Sequence, residues 1–259
     1  MPAEPTSLAD PVERPPGGAA RTLAVILPAY DEAAVIRHSI AAVAEALAGL
    51  GPAWRCEIVV VDDGSRDRTV ARAAELAAGR DDLRLLRHAA NRGLGAALRT
   101  GFAATAAEFV AVLDMDLSYA PDHLGPLLDA LDRADADIAV ASPYMPGGRV
   151  AGVPWRRRLL SRAANWYLSR MMGGRLRTLT GMVRVYRGTT LRRLDLAAEG
   201  KDINIEIVER ALQAGARFVE VPARLAWLAP RGGRVRLLAE TGRVLRRGLR
   251  LRRLAQAAR

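Results

Sequence analysis

Short apolar runs recur along the first half of the chain and alternate with longer segments of helical periodicity. The runs cover residues 23–27, 56–61, 83–86, 109–113 and 137–141, and each has the length of a strand. Runs without polar alternation are typical of strands that are covered on both faces. The first run is followed by Pro28, which we expect to end its ladder. Helices are predicted over residues 33–50 and 121–134. Two more are predicted between them: one begins near residue 69, and the other ends near residue 106. This alternation predicts an α/β fold: a Rossmann-like, doubly wound, mainly parallel sheet with helices on both faces.

The second half of the chain is less regular but contains the same kinds of element. Residues 155–172 and 203–214 favour helices, whereas residues 183–186 and 218–222 favour strands. The helix over residues 155–172 has a predicted apolar face formed by Leu159, Leu160, Ala163, Ala164, Tyr167, Leu168 and Met171. We expect a disordered, proline-rich arm over residues 1–20, one domain over residues 21–228, and an arginine-rich amphipathic tail over residues 229–259.

The composition adds a strong positive charge to this picture. The 259 residues carry a formal net charge of +11, and Lys201 is the only lysine, so arginine supplies nearly all of the cations. Such an excess predicts anionic partners, and the absence of zinc-finger spacing or RNA-binding aromatic motifs disfavours nucleic acid. The chain has one cysteine, Cys56, no recognisable signal peptide and no apolar run near the ~18 residues of a membrane span. We therefore expect a cytoplasmic location.

Two basic segments raise the question of contact with a membrane surface. Arginines crowd the start of the predicted helix over residues 155–172, and two tryptophans lie nearby: Arg156, Arg157, Arg158, Arg162, Trp155 and Trp166. Basic and aromatic residues beside an apolar stripe are typical of interfacial helices, and the arginine-rich tail fits peripheral contact with an anionic membrane. A solvated basic face on an ordinary amphipathic helix explains the same pattern, so both interpretations stay open.

Polar residues gather where four of the predicted strands end. The clusters are residues 30–32, residues 62–65, residues 91–95, and the pair Asp114 and Asp116. Because ligands bind beyond the carboxyl ends of parallel strands, we expect these clusters to form one site. Acids spaced i, i+2 are common in turns, but acids at three of four strand ends indicate a site. A divalent cation between Asp114 and Asp116 would relieve their repulsion and bind a phosphate-containing ligand.

Seven short segments carry a family resemblance that extends over residues 23–221. They are residues 27–32, 61–67, 91–97, 113–118, 161–165, 180–181 and 220–222, which read LPAYDE, VDDGSRD, NRGLGAA, LDMDLS, SRAAN, TG and EVP. In this order they resemble the inverting glycosyltransferases of family 2, which have a GT-A fold, and among them the dolichol- and polyprenol-phosphate mannosyltransferases. The resemblance implies Mg²⁺ or Mn²⁺ and a nucleotide-sugar donor, either GDP-mannose or a UDP-sugar.

The resemblance also assigns roles to individual residues. It places Pro28, Tyr30, Glu32, Asp63 and Asn91 at the nucleotide, with Asp62 in support. It makes Asp114 and Asp116 the metal ligands and puts Ser118 in the shell of the metal. It places Arg158, Arg162 and Arg234 at an acceptor phosphate and Glu206 near the sugar. The implied catalytic residues are Asp116, Glu206 and Arg162.

The acceptor motifs depart from the family pattern, whereas the donor motifs are intact. Pro143 stands where the relatives have arginine, and Leu228 replaces a second arginine. An acid expected before Thr180 is also missing, because residues 178 and 179 are Thr178 and Leu179. The donor chemistry is therefore better supported by the sequence than the identity of the acceptor.

These observations predict one function and leave two alternatives. The predicted function is inverting, metal-dependent transfer of a mannose- or glucose-type sugar to a polyprenyl phosphate at the membrane surface. A phosphate acceptor is already anionic and needs cations to position it. A soluble or natural-product hydroxyl, the first alternative, needs a base such as Glu206. The second alternative is a non-catalytic nucleotide- or membrane-binding protein, which the intact donor motifs disfavour.

Overall fold

The computed structural model describes residues 20–172, 174 and 176–227. Its strands are β1 (Arg21–Ala29), β2 (Trp54–Asp62), β3 (Leu83–Arg87), β4 (Phe109–Val112), β5 (Ile138–Ser142), β6 (Arg149–Ala151), β7 (Arg184–Arg187), β8 (Phe218–Pro222) and β9 (Arg224–Ala226). Its helices are α1 (Ile36–Ala48), α2 (Thr69–Ala77), α3 (Leu94–Ala103), α4 (Leu124–Arg133), α5 (Trp155–Met171), α6 (Gly188–Leu191) and α7 (Ile203–Gln213), and a 3-10 turn (Pro121–His123) precedes α4. Residues 1–19, Leu228 and the tail over residues 229–259, which includes Arg234, lie outside the described residues.

Seven of the described strands form one sheet in the order β3-β2-β1-β4-β7-β5-β8. The strands β3, β2, β1 and β4 are mutually parallel, and β5 is parallel to β8. Between these two groups, β7 runs antiparallel to both β4 and β5, so β4 and β5 point the same way. The prediction of a mainly parallel sheet is confirmed, with one antiparallel strand near its centre. A separate parallel pair joins β6 to β9.

Both faces of the sheet are buried under helices, as the apolar strand sequences predict. On β1, Leu23, Val25 and Leu27 point into a core packed by α1 and α4, whereas Ala24 and Ile26 point into a second core packed by α3 and α7. This two-residue alternation explains why β1 and β4, which lie in the middle of the sheet, carry apolar residues on both faces.

The prediction that Pro28 ends the β1 ladder is wrong. Pro28 pairs with Val61, and β1 continues to Ala29. The carbonyl of Ala29 accepts an N–H from the β2 side, whereas the carbonyl of Ile26 accepts from Leu113 on the β4 side. By this alternation, the backbone nitrogen of Pro28 faces β4. The strand β4 already ends at the residue that pairs with Ile26, so the missing N–H of proline leaves no carbonyl of the ladder unpaired.

The predicted apolar face of α5 is wrong for its first half. Leu159 is 61% exposed and Leu160 is 43% exposed, whereas Leu168 is fully buried against residues of α7. The buried apolar side chains of α5 lie in its second half, where Leu168 packs with Ile205 and Val208 of α7. No helix in the described part of the chain combines the length and apolarity needed to cross a membrane.

Candidate active site

The polar clusters predicted from the sequence lie at one edge of the sheet. The strands β1 to β4 are mutually parallel, so their carboxyl ends point to the same side. The segments that follow them are residues 30–32, 63–67, 88–93 and 113–118, which we call the carboxyl edge. The strand β5 points the same way, and the chain that follows it also begins at this side.

Hydrogen bonds between the segments after β1 and β2 fix the shape of the first part of the carboxyl edge. The amide of Asp31 donates to Ser65 Oγ at 2.9 Å, and the amide of Glu32 donates to Thr69 Oγ1 at 2.8 Å. Asp31 has a φ of +54°, so the chain turns sharply before the helix α1. Tyr30 stands at the rim of this turn with 40% of its surface exposed.

Asp63 is buried and holds the segment after β3 in place. Its carboxylate accepts the amides of Arg92 at 2.9 Å and Gly93 at 2.7 Å. It also lies 2.7 Å from His88 Nδ1, and the other nitrogen of His88 lies 2.9 Å from Thr100 Oγ1. Both oxygens of Asp63 therefore contact protein groups, and this residue connects the segment after β2 to the segment after β3.

The other residues predicted at the nucleotide occupy three different environments. Asp62 is fully buried, and its oxygens accept the amide of Ser65 at 3.2 and 3.3 Å and lie 3.7 Å from Arg87 Nε. This agrees with a supporting position for Asp62. Pro28 is partly exposed at the end of β1, and Asn91 is exposed in the segment after β3.

Asp114 and Asp116 follow β4 on a short loop that neighbouring elements hold firmly. Ser39 on α1 donates its hydroxyl to the carbonyl of Met115 at 2.6 Å. The carboxylate of Asp116 accepts the amide of Ser118 at 2.9 Å and the hydroxyl of Ser118 at 2.7 Å through the same oxygen, Oδ1. Ser118 thus orients the Asp116 carboxylate.

Negative charge accumulates around Asp114. Burial raises the pKa of Asp114 to about 7, and the neighbouring charges of Asp116 and Glu32 add to this effect. The positive charge of Lys201 acts in the opposite direction and lowers the pKa. Burial also raises the pKa of Tyr119, on which the charges of Asp114 and Tyr144 both act. The protein therefore does not fully compensate the negative charge of ionised Asp114.

The residues of the carboxyl edge fit a metal that is shared with a phosphate ligand. Nowhere in residues 20–172, 174 and 176–227 do three or more His, Cys, Asp or Glu side chains form a group that could hold a metal ion. Two carboxylates alone suit Mg²⁺ or Mn²⁺, because Mg²⁺ typically takes one or two protein carboxylates and completes its shell with phosphate oxygens and water. The raised pKa of Asp114 indicates the charge that such a cation would neutralise.

Glu206 lies in the first turn of α7 and is buried. Its Oε2 accepts the amides of Ala197 at 3.2 Å and Ala198 at 2.7 Å. The next residue, Glu199, accepts the amide of Gly95 through its carbonyl at 2.7 Å. Glu206 therefore anchors residues 196–202, which we call the crossover segment, against the start of α3.

A cleft of about 290 Å³ opens between the chain after β5 and the helix α5, and its lining includes two of the three arginines predicted at the acceptor. Arg158 and Arg162 lie one helical turn apart on the exposed half of α5. Tyr144 joins the two walls, because its hydroxyl donates to Ser161 Oγ at 2.8 Å. Pro143, which stands where relatives have arginine, also lines the cleft.

The loop between α5 and β7 is held by buried side chains. Asn165 accepts the amides of Leu179 at 2.7 Å and Thr180 at 3.1 Å, and its own amide donates to Thr180 Oγ1 at 2.9 Å. Glu220 accepts the amide of Thr178 at 2.8 Å. The loop that carries the Thr-Gly motif is thus fixed between α5 and β8.

Three residues of this region were not predicted from the sequence. His88 contacts Asp63, and nothing in the local sequence distinguishes it. Arg184 is fully buried and donates to the carbonyls of Leu179 and Asn204, and its position inside an apolar strand was a usable signal. Lys201 acts on Asp114, and its signal was its status as the only lysine.

Comparison with known proteins agrees with the motifs and the fold. Residues 24–197 match the family described as glycosyl transferase family 2. A polyprenol monophosphomannose synthase of Mycolicibacterium smegmatis is 40% identical over 209 residues, which are 78% of this chain and 76% of that protein. An undecaprenyl-phosphate mannosyltransferase of Micrococcus luteus is 30% identical over 203 residues, which are 76% of this chain and 80% of that protein.

Solved structures support the same fold. Glucosyl-3-phosphoglycerate synthase from Mycobacterium tuberculosis in complex with uridine diphosphate superimposes with a TM-score of 0.65 at 22% identity, covering 91% of this chain and 86% of that chain. The family resemblance and the GT-A-like architecture are confirmed. The chain belongs to glycosyl transferase family 2 and is a glycosyltransferase.

Proposed function

We propose that this enzyme transfers a mannose- or glucose-type sugar from a nucleotide sugar to a polyprenyl phosphate, with inversion at the anomeric carbon. The observation that carries the proposal is the placement of the acid pair Asp114 and Asp116 and of an arginine-lined cleft on the same side of one sheet. An anion-binding cleft beside a metal site fits an acceptor that is itself a phosphate. The names of the relatives in M. smegmatis and M. luteus support the same acceptor class.

The donor half of the reaction is assigned to the carboxyl edge. Tyr30, Glu32 and Asn91 contact the nucleotide, while Asp62 and Asp63 hold the segments that present them. Pro28 lies at the end of β1 beside them, and Asp114 and Asp116 hold Mg²⁺ or Mn²⁺, with Ser118 orienting Asp116. A cation held there would supply positive charge that offsets the negative charge of the diphosphate leaving group. A solved relative in complex with Mn²⁺ and uridine diphosphate supports this metal class, and GDP-mannose or a UDP-sugar is the proposed donor.

The acceptor half is assigned to the cleft against α5. The guanidinium groups of Arg158 and Arg162 position the acceptor phosphate for attack on the anomeric carbon from the face opposite the diphosphate. The attacking oxygen of the acceptor phosphate is already anionic at neutral pH, so the attack requires no general base. Arg234, also predicted at this phosphate, lies outside the described residues.

The geometry of Glu206 supports a phosphate acceptor over a hydroxyl acceptor. A hydroxyl would need a carboxylate base, and Glu206 is the candidate. One of its oxygens, Oε2, already accepts two backbone amides, so this carboxylate is engaged in holding the crossover segment. We therefore place the soluble or natural-product hydroxyl second. The non-catalytic alternative is set aside because the chain is a family 2 glycosyltransferase with its acid pair intact.

Peripheral contact with an anionic membrane belongs to the same proposal. The exposed side of α5 presents Trp155 at 64%, Leu159 at 61% and Trp166 at 68%. Arg156 and Arg157 stand among them, and the guanidinium of Arg157 stacks 4.1 Å from the ring centroid of Trp227. Exposed indole and leucine side chains beside arginines fit the interface of a bilayer, where a polyprenyl phosphate presents its head group.

A donor and acceptor screen tests the proposal. The enzyme is incubated with Mn²⁺ and with GDP-mannose, UDP-glucose or UDP-N-acetylglucosamine, and a short-chain polyprenyl phosphate in vesicles serves as the acceptor. The matched control is the corresponding polyprenol, which keeps the lipid and removes the phosphate. We expect a glycosylated lipid with polyprenyl phosphate, none with polyprenol, and none in EDTA. Sugar transfer to hydroxyl acceptors without any product on polyprenyl phosphate would overturn the proposal.

A further inference from the structure

We propose that Lys201 is a donor-binding residue whose ammonium group contacts the diphosphate of the bound nucleotide sugar. Lys201 lies in the crossover segment, immediately before α7, and is exposed. The inference rests on the donor half of the proposed function and is independent of the identity of the acceptor.

The crossover segment is fixed against the carboxyl edge from two sides. From α7, Glu206 accepts the amides of Ala197 and Ala198. From α3, the amide of Gly95 donates to the carbonyl of Glu199 at 2.7 Å. These contacts hold the residues up to Glu199 against the start of α3 and α7, so Lys201, two positions later, begins from a fixed point next to the carboxyl edge.

The packing at the start of α3 shows how close this approach is. A Cβ atom on Gly95 would lie 2.2 Å from the carbonyl oxygen of Ala198, and one on Gly93 would lie 2.4 Å from that of Glu199. Only glycine at both positions allows the crossover segment to lie directly on the segment after β3. The same segment carries Asn91, so the crossover segment forms a wall of the proposed nucleotide pocket.

The negative charges near this wall would be stabilised by a cation. The like charges of Asp116 and Glu32 both act on Asp114, and a diphosphate would add further negative charge to the same space. Lys201 is the cation that acts on Asp114 against these carboxylates among the described residues. An ammonium group on a flexible stem can turn from the carboxylates to the diphosphate when the metal occupies the acid pair. Glu206 is then a positioning residue that acts through the crossover segment.

The only lysine of the chain allows a direct test by amine labelling. The intact enzyme is reductively methylated in the presence and absence of GDP or UDP with Mn²⁺, and the peptide containing Lys201 is quantified by mass spectrometry. The terminal amino group is the internal control. Binding is verified by the shift of the melting temperature. We expect nucleotide and Mn²⁺ to slow labelling of Lys201 and to leave the terminal amine unchanged.

Substitutions give the second measurement. We expect Lys201→Met to weaken GDP or UDP binding about 10- to 100-fold, as loss of a charge-assisted hydrogen bond does, without raising the KM for polyprenyl phosphate. Lys201→Arg should restore most of the affinity. Arg193→Met, which removes another exposed cation of the region after α6, should change neither the nucleotide affinity nor the KM for polyprenyl phosphate.

The outcomes separate the inference from the proposed function. If nucleotide binds but Lys201 labels at an unchanged rate and Lys201→Met binds normally, the inference alone is overturned. If neither GDP nor UDP binds with Mn²⁺, the donor half of the proposed function is overturned together with it. If Lys201 is protected but no lipid product forms, the inference stands and the proposed acceptor is wrong.

Discussion

Replacing Asp114 with asparagine should stabilise the metal-free enzyme while it abolishes metal binding. Burial and the charges of Asp116 and Glu32 raise the pKa of Asp114 to about 7 from an ordinary value of 3.8. Between these two values the folded protein holds a proton that the unfolded chain releases. Unfolding is therefore favoured as the pH rises through this window, and the full cost is present above pH 7. Asparagine keeps the shape of the side chain and removes this cost.

The magnitude follows from the difference between the two pKa values, which is about three. One unit corresponds to about 1.4 kcal/mol, and the part of Asp114 that still contacts water reduces the total, so we expect about 3 kcal/mol at pH 8. For a domain of this size the corresponding rise in melting temperature is about 5 to 10 °C. The gap between variant and wild type should grow by about 2 kcal/mol from pH 5 to pH 8.

Thermal and urea unfolding in EDTA measure this gap. The matched control is Asp129→Asn, which removes one exposed carboxylate from α4 and should leave stability nearly unchanged. Addition of Mn²⁺ should then raise the melting temperature of the wild type and of Asp129→Asn, but not that of Asp114→Asn. A variant that is less stable than the wild type in EDTA at pH 8, or a gap that does not change with pH, would refute the reasoning.

Three further substitutions test other parts of the site. Glu206→Gln keeps an oxygen for the Ala198 amide, so lipid transfer should stay within about tenfold of wild type. Glu206→Ala should lose more, and complete inactivity of the glutamine variant with every acceptor would instead identify a base. Arg162→Met should raise the KM for polyprenyl phosphate about 10- to 100-fold, and an equal loss of nucleotide affinity would contradict its assignment to the acceptor. Asn165→Leu should lower the urea-unfolding free energy by about 2 to 4 kcal/mol, because two amides lose their acceptor, and a change below 1 kcal/mol would show that the loop repacks.

The carboxyl edge was predictable because it depends on strand ends. Five apolar runs located the strands β1 to β5, and parallel strands of alternating α/β chains bring their carboxyl ends together. The shared position of the acid pair, the cluster after β2 and the glycines after β3 could therefore be predicted without knowledge of side-chain contacts. The end of a strand is marked by a local change from apolar to polar residues, and a single sequence shows such local changes directly.

The remaining features depend on partners that are distant in the sequence. The antiparallel insertion of β7 between β4 and β5 depends on tertiary packing, which the sequence of a four-residue strand does not specify. The exposure of Leu159 on α5 follows from what lies beneath that helix, not from its own periodicity. Asp63 was predicted to contact the nucleotide, yet its oxygens contact His88, Arg92 and Gly93, which only the fold brings together.

A continuous set of buried hydrogen bonds connects the acceptor cleft to the crossover segment. Asn165 on α5 holds the loop at Leu179, whose carbonyl accepts from the fully buried Arg184. Arg184 also donates to the carbonyl of Asn204 at the start of α7, two residues before the Glu206 that anchors the crossover segment. A fully buried guanidinium is tolerated only while its carbonyl partners stay in place, so α5 and α7 are held at a fixed separation. The helix that carries Arg158 and Arg162 and the segment that carries Lys201 are thus connected through one set of buried contacts, and such a connection would help to align a donor and an acceptor that bound there, as we propose.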